Sequence, residues 1–258
     1  MMLTDSDREW LRIHHPGLTA HGATPNVYTG QLGVDMFYDK ANRQYIINPT
    51  DIGVDDRMRI RDSYSVEVDF NVKDELLPLI KETGGRIQTI ARERSLKLAD
   101  LHINSTGEAC LCFEFEKPSF LLNGFNVPDY FHRLVIPFFY AESYFEKHSI
   151  WPWGQYSHGE LGMFEWYFDK ADHDGFRAIE SSIAFLKRHK GKNNYETQLR
   201  GERKIKGHQN CPCGSGKIFR DCHSRAFKGL WKMHEEIQLS LKKDKTTRQQ
   251  LKEMLNGF

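Results

Sequence analysis

Apolar and polar positions along the chain change period near Pro128. Before it, β-branched and aromatic residues alternate with polar ones; after it, apolar residues recur every three to four positions. Residues 5–15 read as an opening helix with Trp10, Leu11 and Ile13 on its apolar side, ended by Pro16-Gly17. Segments 27–39 and 44–54 read as strands around a Lys40–Arg43 turn. In 63–72, Val66, Val68 and Phe70 face one way and Glu67, Asp69 and Asn71 the other, the signature of a half-buried strand. Segments 73–80 and 88–99 carry no clear period and read as helical or irregular. The next expected strand is 107–116, with Cys110, Cys112 and Glu114 on one face and Ala109, Leu111, Phe113 and Phe115 on the other.

Beyond Pro128, Phe131, Leu134, Val135, Phe138 and Phe139 predict a helix, with Pro137 as a kink and Asp129 at its positive end. A Trp-, Pro- and Gly-rich loop over 151–162 precedes helices over 163–170 and 175–189, the latter with Phe176, Ile179, Ile183 and Phe185 or Leu186 near one face. From Lys228 to Phe258 a further helical stretch places Leu230, Met233, Ile237, Leu241, Leu251, Met254 and Leu255 on a stripe. Lys242, Lys243, Lys245 and Arg248 form its basic rim. Strands first and helices later predict an α+β fold, an antiparallel meander covered by helices.

Charge divides the chain. The net charge of +1 conceals 17 Lys/Arg against 25 Asp/Glu in residues 1–170, and 19 against 10 in the remainder. The expected organisation is an α+β domain over 1–186, a basic linker or exposed helix over 187–207, and a small module with a basic C-terminal helix over 208–258. A basic segment of this kind meets nucleic acid, an acidic protein or the chain's own acidic part. Aromatic residues are sparse between 187 and 225, which disfavours nucleic acid. No run of 18 apolar residues occurs, so no membrane helix is expected. The polar, acidic start MMLTDSDREW lacks a leader pattern, and a reducing cytoplasm is the expected compartment.

Five cysteines divide as two plus three. The three lie in Cys211-Pro-Cys213-Gly-Ser-Gly-Lys, followed after four residues by Cys222-His223. Three thiolates and an imidazole make a tetrahedral structural zinc set, and Gly214 and Gly216 let the chain turn over a small ion. The GSGK run lacks the spacing of a phosphate-binding loop. This stretch resembles the zinc-binding SEC-C motif found at the C-terminus of SecA and appended to many bacterial proteins. The resemblance implies one structural Zn2+ held by Cys211, Cys213, Cys222 and His223, in a module that docks on a protein partner.

The other two cysteines follow a second recognisable run, His102-Ile-Asn104-Ser-Thr-Gly107-Glu-Ala-Cys110-Leu111. It resembles the active-site region of ubiquitin-conjugating enzymes, where a His-Pro-Asn element precedes Gly-x-x-Cys-Leu. It is also similar to bacterial relatives of that fold encoded in antiphage and modifier-conjugating operons. Ile103 stands where the family has proline, and the Asn104-to-Cys110 spacing is two residues shorter than in the eukaryotic enzymes; Cys112 would restore it. The resemblance implies a fold of the ubiquitin-conjugating (UBC-like) type over about 10–170 and a cysteine that carries a ubiquitin-like modifier delivered by an activating enzyme. By it, Cys110 is the nucleophile, with Cys112 as the alternative; Asn104 stabilises the oxyanion and His102 buttresses the loop. His158 and Glu165, in the aromatic segment that follows, are candidates for supporting the site. Two other readings stand beside this transferase: a non-catalytic adaptor on the same fold, and a nucleic-acid-binding protein.

Overall fold

The computed structural model describes residues 3–22, 24–50, 56–73, 76–113, 116–121, 124–189 and 195–256. Expectations for Glu114 and Phe115, for 51–54 of the second strand, for part of the 187–207 linker and for the last two residues lie outside them. The chain is α+β and divides into two compact units, 1–154 and 155–258. The expected division at 186/187 differs from this one, because α6 and α7 below pack with the C-terminal segment. The first unit carries 16 Lys/Arg against 22 Asp/Glu and the second 20 against 13, so the units keep the opposite signs read from the sequence.

In the first unit, α1 (Asp5–His14) starts at a Thr4–Asp7 capping box and is followed by β1 (Leu18–His21) and the long β2 (Thr24–Asp39). Then come β3 (Gln44–Ile47), β4 (Arg59–Asp69) and β5 (Leu79–Glu82). All pairings are antiparallel, in the order β1-β2-β4-β5, with β3 also on β2. Val66, Val68 and Phe70 are buried as the alternation predicts, and Ile60 and Tyr64 extend the same inward row. Register places Tyr64 opposite Leu32 and Val68 opposite Tyr28, so both strands turn one apolar face inward. At the end of 73–80, which reads as helical or irregular, Leu79 and Ile80 begin strand β5 instead. Its four residues are too few to show a period, and pairing with β4 decides the state.

Helix α2 (Arg86–Glu93) leads through a 3-10 turn at Leu98–Leu101 to His102, and α3 (Lys117–Leu121) follows the cysteines. Then α4 (Val127–Tyr130), a π-helical turn (Phe131–Val135) and α5 (Ile136–His148) run on continuously. The expected Pro137 kink takes the form of that π-turn. Proline has no N–H to give and its ring crowds the preceding turn, and the extra residue, with Ile136 N–H bonding to Phe131, relieves both. Residues 136–144 of α5 are buried on every side, and Phe139 meets Tyr64 with ring centroids 4.6 Å apart.

An ionic knot fastens α2 to this core. Arg86 makes a bidentate pair with Asp62 at 2.8 and 2.6 Å and also bonds Glu146. Ser143 donates to Asp62 at 2.8 Å and shares a 2.8 Å bond with the Tyr64 hydroxyl. The start of the segment that ends in His102 is thereby fixed to β4 and α5.

The second unit contains α6 (Gly159–Asp174), α7 (Phe176–Arg188), α8 (Tyr195–Leu199), α9 (Phe219–Cys222), α10 (Ser224–Ser240) and α11 (Lys245–Asn256). Helix α6 begins four residues before the expected helix start at 163, and its buried run from Leu161 to Tyr167 lies against α10. Gly229 makes that approach possible: a Cβ there would sit 1.8 Å from the Phe164 carbonyl oxygen. Leu230, Met233, Ile237, Leu251 and Leu255 are buried as the stripe predicts, against α6 and α7. Tyr195 and Leu199, in the expected linker, are buried too. Among the described residues, no helix is long and apolar enough to cross a membrane.

Candidate metal centre and thiol site

Backbone pairing builds the C-terminal cluster. Asn210 and Ile218 form an antiparallel bridge, Cys211 N–H donates to Lys217 at 2.7 Å, and Phe219 N–H donates to Gln209 at 2.8 Å. The enclosed loop turns at Gly214 (φ +81°) and Gly216 (φ +75°), conformations that a side chain would strain. Helix α9 then delivers Cys222, and its end leaves His223 at φ −129°, outside helical geometry, before α10 starts. That break in the backbone lets two adjacent residues point at one spot.

The donor atoms of Cys211, Cys213, Cys222 and His223 all lie within 4.8 Å of one another, and the four can hold a metal ion. Cys213 Sγ is 3.6 Å from Cys222 Sγ, and Cys211 Sγ is 3.1 Å from His223 Nδ1. The hydroxyl and backbone N–H of Ser215 pull the Cys213 thiol down to about 7, while burial pushes Cys211 up to about 12. A cation at the centre would favour the thiolate at both positions. His208 is exposed and outside the cluster.

In the first unit, the sequence His102–Cys110 forms a tight hairpin. Gly107 N–H donates to Asn104 at 2.9 Å and Asn104 N–H to Glu108 at 2.8 Å; Gly107 takes φ +90°. Ile103 bridges Ala109, and Cys110 N–H donates to the His102 carbonyl at 2.7 Å. The hairpin extends the sheet, since Ala109 N–H donates to Ile80 of β5 and Lys81 pairs with Glu108 at 3.2 Å. Ile103 is buried and Ala109 packs on the core. His102, which ends the 3-10 turn, takes left-handed geometry at φ +51°. The His102 ring lies edge-on to Trp151, which itself stacks on Phe145.

The expected strand over 107–116 is therefore a correction. Pairing stops at Cys110, and the two thiols do not continue on one face. Cys110 is exposed, whereas Cys112 packs on the hydrophobic core, where burial pushes its thiol up to about 12. Cys110 is also raised, by desolvation of its sulfur, against the downward pull of Lys117. Its Sγ lies 3.7 Å from the Cys112 carbonyl oxygen. Lys117, whose charge acts on both thiols, carries no signal in the sequence.

His158 and Glu165 belong to the second unit. His158 is exposed; Glu165 is buried and accepts the Ser157 N–H at 2.6 Å and its hydroxyl at 3.0 Å. That carboxylate closes the loop ahead of α6.

Residues 209–225 match the family model of the SEC-C motif, which includes all four ligand candidates. No curated protein and no solved structure matches the chain.

Proposed function

We propose that the first unit is a UBC-like domain that carries a ubiquitin-like modifier as a thioester on Cys110. The observation that carries this reading is the hairpin itself: Cys110 is an exposed residue whose N–H donates to the His102 carbonyl, at the end of a loop that Asn104 and Gly107 close, while Cys112 packs on the core. Helix, antiparallel sheet, active-site loop and long helix also follow one another in the order that resemblance implies. In the reaction, the Cys110 thiolate attacks the carbonyl carbon of a modifier already joined to its activating enzyme by a thioester. A new S–C bond forms, the old one breaks, and the departing thiolate takes up the proton that Cys110 gave. An amine then attacks the new thioester, and Asn104 donates a hydrogen bond to the tetrahedral oxyanion. His102, held by Trp151, keeps the loop in register as a positioning residue.

The metal is zinc in this reading. Three thiolates with one imidazole are its preferred structural donors, and the 3.6 Å separation of Cys213 and Cys222 approaches the edge, about 3.8 Å, of a tetrahedron with zinc–sulfur bonds of about 2.3 Å. Four protein ligands leave no open position, so the ion orders the module for docking on a protein partner.

The test is a transfer reaction with the purified chain, the activating enzyme and the ubiquitin-like protein of its genomic neighbourhood, and ATP. A thiol-sensitive adduct is expected with wild type and Cys112→Ala and is absent with Cys110→Ala. No adduct from wild type, with both thiols inert to iodoacetamide, overturns the proposal. One observation favours a second reading, a non-catalytic adaptor on the same fold: both hairpin thiols are raised, opposite to the acidification that a nucleophile needs. In that case the zinc-dependent capture of a protein partner survives in the double cysteine variant.

A further inference from the structure

Three imidazoles gather around one indole where α1 meets the core of the first unit. The Trp10 ring stacks on His14 with centroids 4.8 Å apart and lies 5.3 Å from His15 and 5.5 Å from His132, which the π-helical turn supplies. His15, the residue that caps α1, stacks in turn on Phe131 at 4.4 Å. Its Nε2 is buried and lacks a hydrogen-bond partner among the described residues. The rest of the attachment is apolar or neutral at its far side: Leu11 is fully buried, Trp10 packs on the core, and Arg8 donates to the Pro25 carbonyl at 2.7 Å.

A neutral ring suits this place and a charged one does not. Charging His15 would leave an N–H at Nε2 without an acceptor and strip the ring of hydration. Burial first, then His132 and His14, pull His15 down to about 4. Burial and His14 also lower His132, while Asp129 of α4 pulls it the other way. The other charges nearby along these elements are engaged elsewhere. Arg12 of α1 is paired with Glu9 at 2.6 Å, and Arg133 of the π-helical turn lies over the Phe120 ring. Strand β1 brings His21, at the end away from His15. The carboxyl end of α1 favours a cation, which offsets part of the burial without reversing it.

We propose that this cluster is an acid-released latch: protonation of His15, together with His132, undocks α1 from the core while the sheet and α5 stay folded. The docked helix holds His15 neutral down to about 4, whereas a released helix takes up the proton at the ordinary 6.5. Docking is therefore at full strength above 6.5 and weakens as pH falls towards 4, about tenfold for each pH unit. The latch is independent of the Cys110 reading.

Hydrogen exchange of the full chain at pH 7.5 and pH 5, corrected for intrinsic rates, tests it. In peptides covering 3–15 the wild type should lose protection about thirtyfold at the lower pH, while 136–148 keeps its protection. His15→Phe retains an aromatic stack on Phe131 and cannot charge, so its loss should stay below about threefold. His132→Gln should reduce the loss to about tenfold, and since His132 is exposed this variant keeps the test decisive where His15→Phe fails to fold. A wild-type loss below tenfold, a loss that spreads equally to 136–148, or an undiminished loss in His15→Phe (in His132→Gln where the former does not fold) overturns the proposal.

Discussion

The chain places thiols on two small hairpins and uses them in opposite ways. At Cys211–His223 the strand bridge closes a loop whose two positive-φ glycines turn the donors inward on one another. At His102–Cys110 the bridge closes a loop with one such glycine, and the chain leaves the sheet directly after the first thiol. Cys211 and Cys213, two residues apart, therefore share one centre, while Cys110 and Cys112, also two apart, part company. A Cys-x-Cys spacing does not by itself make a metal site; convergence is set by the backbone that follows the second cysteine.

Four experiments break or sharpen that contrast. The largest effect is expected from metal removal. A site filled at a free zinc concentration 1,000 times its dissociation constant stabilises its unit by about 4 kcal/mol, and chelation removes this from the second unit alone. Domain-resolved melting, with and without chelator, reads it out; equal loss in both units would refute the local assignment.

Gly229→Ala tests whether the module depends on the α6–α10 contact. A Cβ forced against the Phe164 carbonyl is an overpacking change, expected to cost about 3 kcal/mol in denaturant melts. Hydrogen exchange should show the loss in α6 and α10 and leave the hairpin of the first unit unchanged.

The two units should also differ in pH response. Glu142 on α5 is fully buried, both carboxylate oxygens lack a partner among the described residues, and burial, reinforced by Glu146, pushes its carboxyl up to about 9. The folded state then keeps a proton that the unfolded chain gives up above its ordinary 4.5. Stability of the first unit falls as pH rises from about 4.5 to about 9, by up to about 1.4 kcal/mol per pH unit. Glu142→Gln should flatten that slope and gain about 2 kcal/mol at pH 7. The metal centre responds in the opposite direction, losing its ion as acid protonates the thiolates and the imidazole.

Thiol labelling gives the smallest effect. Iodoacetamide on the metal-loaded chain should modify Cys110 about tenfold faster than Cys112, because only the first is exposed. Peptide mass mapping checks this, and equal rates would mean that the hairpin opens.

Legibility in the sequence follows the same divide. The four metal-ligand candidates lie within 13 consecutive residues with their glycines between them, so local backbone rules suffice to assemble them. The extent of helix α1, the inward row Val66, Val68 and Phe70, and the buried stripe of α10 and α11 were equally readable, because each repeats a period along one element, although Ile13, expected on the apolar side of α1 with Leu11, is exposed. Strand β5 was not, being four residues whose state depends on β4. Nor was the Arg86–Asp62–Glu146 knot, whose members stand 24 and 60 residues from Arg86.

The sequence by itself determined the secondary-structure periods, the opposite charge of the two parts and the identity of the four metal-ligand candidates, since each is a property of neighbouring residues. Only the tertiary structure decided which hairpin thiol faces outward, where the two units part, and that a carboxylate at 142 is buried without a partner. Those outcomes depend on desolvation by residues far along the chain, and burial is a property of the packed whole.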